Sequence, residues 1–139
     1  MNIYKEIYDL IAINSASRKC EIGGALGCDR SGDICEVIFD TISDKSELCY
    51  SPNTSFLNKK IANELKFRFC GLFHSHLTKF HTLSYGDIRY IESVLHSMPD
   101  EIEYLYFPIY VVPEEKLYVF KAKKTEEGFE INEESVEIL

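Results

Sequence analysis

Between Gly71 and Tyr90 the chain reads GLFHSHLTKFHTLSYGDIRY, and four of these side chains, His74, His76, Ser84 and Asp87, are of types that bind metals or move protons. On a strand, residues i and i+2 project from one face, so His74 and His76 present two imidazoles side by side with Ser75 turned away. Asp87 falls in the first turn of the helix expected next, after a loop short enough to fold back over the strand end. Two neutral imidazoles and one carboxylate supply three corners of a tetrahedral zinc and leave the fourth open, as catalytic rather than structural zinc sites do. Hydrolysis there also needs a general base beside the attacking water. Glu21 is the candidate, a carboxylate among apolar neighbours at the start of a glycine-rich strand.

Each piece has a second reading. A strand histidine often only satisfies a backbone partner or packs by its ring, so HxH alone is a weak signal. Ser84 and Asp87 have the spacing of a helix capping box, and for that pair taken alone capping is the better reading. Glu21, on spacing alone, fits a solvent-facing strand end. His81 and His96 have no spacing that recruits them and read as surface or loop residues.

Other elements must hold these groups in place. Ile3, Ile7, Leu10 and Ile11 predict a first helix over residues 2–13, ending in the polar Asn14 to Ser17 stretch. Glu21 to Gly27 and Ile34 to Ile42 read as a hairpin around Asp29-Arg30-Ser31-Gly32-Asp33. Ser51-Pro52-Asn53-Thr54 punctuates the chain before a second helix carrying Leu57, Ile61 and Leu65. The histidine strand is expected over Cys70 to Leu77, then a helix with Ile88, Ile91 and Leu95 on one side. Tyr104 to Val112 suits a strand covered on both faces, with Pro108 requiring a bulge or an edge position. A strand over Lys116 to Lys124, a short one around Phe129 to Ile131 and a partly mobile acidic tail complete the chain. The order α-β-β-α-β-α-β-β predicts one mixed α/β domain covering residues 1–139.

Composition narrows the function classes. The formal charge of −8 works against binding a phosphate backbone, so nucleic acid is not an expected partner. Lys121, Lys123 and Lys124 form the one notable basic cluster, and they read as a solvated strand edge. The five cysteines are odd in number and never spaced as CxxC, which disfavours a disulfide framework and a cysteine-only zinc site. They are expected reduced and mostly buried. With no signal segment and no apolar run near membrane-spanning length, a soluble cytoplasmic protein with no membrane partner is expected.

Taken together, Glu21, His74-Ser75-His76, seven residues, Ser84, two residues and Asp87 resemble the JAMM metalloprotease signature of the JAB/MPN+ family. Every signature position is filled, and Glu21-Ile22-Gly23-Gly24 resembles the family's first motif strand. The resemblance runs along essentially the whole chain. It implies a JAB/MPN (cytidine deaminase-like) fold, with a central, mostly antiparallel sheet flanked by helices. It also implies zinc on His74, His76 and Asp87, Glu21 activating water and returning a proton to the leaving amine, and Ser84 stabilising the oxyanion. The implied activity is that of a zinc metallopeptidase or isopeptidase, deubiquitinase-like, cutting near the C-terminal tail of a ubiquitin-like or sulfur-carrier protein. Leu77 departs from the pattern, since many members carry proline directly after HxH. The short spacings resemble compact prokaryotic members, without the large insertions of eukaryotic deubiquitinases. A non-catalytic JAB-fold binding module and a RadC-like protein linked to DNA metabolism are the alternatives.

Overall fold

The computed structural model describes residues 1–41, 44–45, 50–51 and 54–139. Ile42, Cys49, Pro52 and Asn53, on which part of the expected second strand, one cysteine and part of the punctuation fall, lie outside the described residues. Among the described residues, ten strands and three α-helices follow in chain order. They are β1 (Asn2–Ile3), α1 (Lys5–Ala16), β2 (Gly23–Cys28), β3 (Ile34–Phe39), β4 (Asp44–Lys45), β5 (Tyr50–Ser51) and α2 (Thr54–Glu64). Then come β6 (Arg68–His76), α3 (Tyr85–Ser97), β7 (Tyr104–Val111), β8 (Lys116–Thr125), β9 (Gly128–Glu134) and β10 (Glu137–Ile138).

Eight strands form one mixed sheet in the order β10-β1-β3-β2-β6-β7-β8-β9. β2 pairs antiparallel with β3 and β6, and β8 antiparallel with β7 and β9, whereas β6 and β7 run parallel. The outermost strands, β9 and β10, are separated in the chain by residues 135–136 alone, so the sheet must curl to bring its two edges together. β4 and β5 make a separate two-stranded pair.

The sheet is apolar on both faces, and each face has its own cover. α1 contributes Ile7 and Ile11 to a cluster with Ile3, Leu26, Ile34, Phe73 and Tyr110. α3 contributes Ile91 and Leu95 to a second cluster with Leu105, Phe107 and Ala122. The alternation along β7, Leu105 and Phe107 to one cluster and Tyr106 and Tyr110 to the other, explains its unbroken apolar run. Burying a side chain of this size stabilises by about 1.5–3 kcal/mol.

Local chemistry fixes the turns that aim β2 and β6. In the β2–β3 hairpin the Asp29 carboxylate accepts from the Ser31 and Asp33 backbone N–H groups, and Gly32 takes φ 85°, a left-handed conformation glycine adopts without strain. Ahead of β6, the Glu36 carboxylate accepts from the Lys66 and Phe67 N–H groups at 2.9 and 3.0 Å, tying the start of that strand to β3.

Several expectations need correction. Ile3 belongs to β1 rather than to the first helix, which runs three residues past the expected end, and Leu10 is exposed because the helix buries Ile7, Ile11 and Ser15 instead. Pro108 sits on neither an edge nor a bulge: β7 lies between β6 and β8, and Pro108 pairs with Val119 in an unbroken β7–β8 register. Its missing donor falls where the β6–β7 ladder steps from Gly71↔Tyr106 to His74↔Ile109. The lysine cluster is not at an edge either, since β9 covers β8. There Lys121 stacks 4.2 Å from the Tyr104 ring centroid, and Lys124 donates to the carbonyls of Met98 and Pro99 just beyond α3. Most of the acidic stretch expected to be mobile is ordered as β9 and β10.

Candidate metal centre

β6 delivers the histidines. Along it, Phe73 packs into the α1-side cluster and Leu72 into the α3-side cluster, so the alternation turns His74 and His76 toward α3 and Ser75 toward the α1 side. α3 begins at Tyr85 with a complete capping box: Ser84 Oγ accepts from the Asp87 N–H at 3.1 Å, and Asp87 Oδ2 accepts from the Ser84 N–H at 3.0 Å. The capping reading of this pair therefore holds. It does not compete with the metal reading, because the other carboxylate oxygen, Oδ1, lies 3.9 Å from His74 Nε2.

His74, His76 and Asp87 each bring one potential ligand atom, all within 4.8 Å of one another, and the two Nε2 atoms are 2.9 Å apart. For comparison, ligands at about 2.0–2.1 Å from a tetrahedral ion lie roughly 3.3 Å from each other. The donor set is that of a divalent ion of borderline softness.

Protonation states agree. His76 Nδ1 lies 2.6 Å from the Phe80 carbonyl oxygen, which only accepts, so Nδ1 carries a hydrogen and the neutral ring turns the lone pair of Nε2 toward His74. The Phe80 ring also stacks on His76, 27° from parallel. Burial lowers the His74 pKa to about 4, with the Asp87 carboxylate opposing and His76 reinforcing. The His74 ring is thus neutral at neutral pH, and two imidazole nitrogens 2.9 Å apart need a proton or a cation between them.

Glu21 lies in the loop after α1, one residue before Ile22, and is half-buried. The β2–β6 register runs through Gly23↔His74. Beyond it, the Ser75 N–H donates to the Ile22 carbonyl at 2.8 Å, and the Ile22 N–H donates to Ser75 Oγ at 2.9 Å. Glu21 itself lies two residues beyond the last paired position of that ladder. Glu21 lines a cavity of about 160 Å³ with Asn14, Arg18 and Asp40. Tyr90, one turn beyond Asp87 on α3, has its phenol pushed up to about 12 by burial and then by the Asp40 carboxylate, so this helix reaches the same end of the sheet. His81 and His96 are exposed, as expected. His81 stacks on Tyr118 with centroids 4.7 Å apart, and His96 Nδ1 lies 3.1 Å from the Glu92 carbonyl oxygen.

Two contributors escaped the sequence reading. Ser75 is fully buried, and its hydroxyl splices the Glu21 segment to the histidine strand. Its signal was present, since a hydroxyl turned toward an apolar layer requires a partner. Phe80 acts on His76 through its main-chain carbonyl, which no side-chain pattern encodes.

No protein-family model matches the sequence, and no curated protein does. Solved structures do. A Desulfitobacterium hafniense protein aligns over 100% of this chain and 93% of its own, at 19% identity and TM-score 0.70. A JAB1/MPN domain protein from Archaeoglobus fulgidus aligns over 100% and 99%, at 16% identity and TM-score 0.56. A structure described as JAMM, a metalloprotease-like zinc site in the proteasome and signalosome, aligns over 100% and 97%, at 17% identity and TM-score 0.53. With a curled mixed sheet, helices on both faces and a His-His-Asp cluster where β6 meets α3, the chain has the fold of the JAB1/MPN proteins.

Proposed function

We propose that the protein is a zinc-dependent peptidase or isopeptidase acting near the C-terminal tail of a ubiquitin-like or sulfur-carrier protein. The observation that carries this reading is the convergence of His74, His76 and Asp87 ligand atoms within 4.8 Å on a JAB1/MPN fold. These three residues would hold the ion. Bound zinc supplies a Lewis acid for the scissile carbonyl and raises the acidity of water at neutral pH.

The protein's own groups do the rest. As water oxygen attacks the carbonyl carbon, the Glu21 carboxylate takes its proton. When the carbon–nitrogen bond breaks, Glu21 returns that proton to the departing amine. Ser84 Oγ accepts from the Asp87 N–H, which fixes the hydroxyl while leaving its own hydrogen as a donor for the developing oxyanion. An extended, glycine-ended tail is the kind of segment that a narrow groove or a strand edge takes up.

The test has two steps. After zinc loading and desalting, elemental analysis is expected to give about one zinc per chain, lost in His74→Ala/His76→Ala. Against fusions carrying a ubiquitin-like or sulfur-carrier tail, Glu21→Gln is expected to keep its zinc and lose turnover by roughly 100-fold or more. Full hydrolysis by Glu21→Gln would show the wrong base. A folded wild type that retains no zinc would favour the non-catalytic binding module, in which Asp87 serves only its helix cap.

A further inference from the structure

At the end of β2 and β6 away from the histidines, a second set of reactive groups converges. Cys28 pairs with Arg68 across the β2–β6 ladder. The register then shifts between Leu26↔Gly71 and Gly27↔Phe69, leaving Cys70 as the extra residue of a bulge. Arg68 and Cys70, two apart on β6, meet Cys28 on one face of the sheet, and an Arg68 guanidinium nitrogen donates to Cys28 Sγ at 3.4 Å. Cys70 has one thiol hydrogen and two acceptors in reach, the Leu26 carbonyl at 3.4 Å and the Cys28 sulfur. When Cys28 is a thiolate, it is the stronger acceptor.

Packing alone does not account for this arrangement. A core of free cysteines behaves as small hydrophobes and has no use for a guanidinium. Cys28 and Cys70 are 2% and 6% exposed, yet both line a cavity of about 170 Å³ together with Arg68, Glu103, Tyr104 and Tyr106. The Cys70 S–H and then the Arg68 guanidinium hold the Cys28 thiol down at about 6, against burial and the Asp29 carboxylate, which raise it. The same contact and burial push the Cys70 thiol up. One sulfur is thus the nucleophile, and its neighbour keeps a proton to give.

We propose that Cys28 and Cys70 form an oxidisable thiol pair, with Cys28 reacting with a small hydroperoxide admitted by the cavity and Cys70 closing the disulfide. The Cys28 thiolate sulfur attacks a peroxide oxygen; the sulfur–oxygen bond forms, the oxygen–oxygen bond breaks, and the leaving hydroxide or alkoxide takes a proton from solvent. The Cys70 sulfur then attacks the Cys28 sulfur, the sulfur–sulfur bond forms, and the oxygen departs as water with the Cys70 proton. Two thiols lose two electrons, and the peroxide gains them. Bulkier oxidants are excluded by the burial of both sulfurs.

The experiment treats the wild-type protein with hydrogen peroxide, alkylates the remaining thiols and maps the cysteines by mass spectrometry. A Cys28–Cys70 cross-link, two mass units lighter than the dithiol, is expected before any change at Cys20, Cys35 or Cys49. Cys70→Ser cannot close the bond and is expected to accumulate a Cys28 sulfenic acid, captured by a cyclic 1,3-dione. Arg68→Gln, at an exposed position, is expected to slow Cys28 oxidation at least threefold. Oxidation of Cys28 no faster than that of Cys20, Cys35 and Cys49, or a disulfide joining a different pair, overturns the proposal.

Discussion

The proposed metal centre asks Asp87 to do two jobs with two oxygens, and substitution can separate them. Oδ2 accepts from the Ser84 N–H, while Oδ1 faces His74. In metal-free protein, Asp87→Asn keeps an amide oxygen for the cap and loses only the favourable charge at the helix N-terminus, about 0.5 kcal/mol. Asp87→Ala loses the capping bond as well, about 1.5 kcal/mol altogether. For 139 residues the unfolding entropy is about 290 cal/mol/K, so each kcal/mol moves Tm by about 3 °C. The expected losses are then about 2 °C for Asn and about 5 °C for Ala. Zinc at a hundredfold excess over its dissociation constant is expected to stabilise the wild type by about 2.7 kcal/mol, or about 9 °C. That rise is expected to fall by more than half in both variants. Thermal unfolding after chelation, and again after zinc addition, reads both effects. Equal metal-free losses for Asn and Ala would refute the cap, and an undiminished zinc response in either variant would refute the ligand assignment.

Two further outcomes concern the scaffold. A Cβ at Gly71 would overlap the Tyr106 backbone carbonyl, which cannot rotate aside, so Gly71→Ala is expected to cost about 3 kcal/mol or more in urea unfolding; a loss under about 1 kcal/mol would mean that β6 and β7 part easily. Ser15 is fully buried on α1 and its hydroxyl has no hydrogen-bond partner among the described residues, so Ser15→Ala is expected to stabilise by about 1 kcal/mol in the same assay, and any destabilisation would show that the hydroxyl is satisfied.

The candidate site was largely legible because its chemistry is tied to local periodicities. HxH on a strand fixes a shared face whatever the fold, and Ser84-x-x-Asp87 marks a helix start wherever that helix lies. Both patterns survive in the structure. Glu21 was harder, since no spacing says where a residue ahead of β2 lies: its segment is tied to β6 across 53 positions by Ile22 and Ser75, and Glu21 itself lines a cavity with Asn14, Arg18 and Asp40. The main helices and strands followed apolar spacing, but their edges did not. Ile3 continues the period of α1 and was claimed for it, although β3 and β10 pair with it as a strand. Pro108 misled because a proline's cost depends on which neighbour its nitrogen faces, a property of sheet order and not of the strand. The lysines of β8 read as an edge only because β9 was expected to be shorter.

The strand order also has a consequence during synthesis. β1 emerges first and pairs with β3 early, but its other side waits for β10, whose partners Glu137 and Ile138 are made some 135 residues later. While the chain is on the ribosome, the residues of the candidate centre, from Glu21 to Asp87, are made before β7, which pairs with the histidine strand, and before β8, which pairs with β7. A nascent chain paused there exposes β6 as an open, apolar edge, the kind of surface that invites pairing with another copy. Translation speed across residues 88–125 therefore bears on how much of the protein folds rather than aggregates, although none of those residues is given a role in the chemistry proposed for the site.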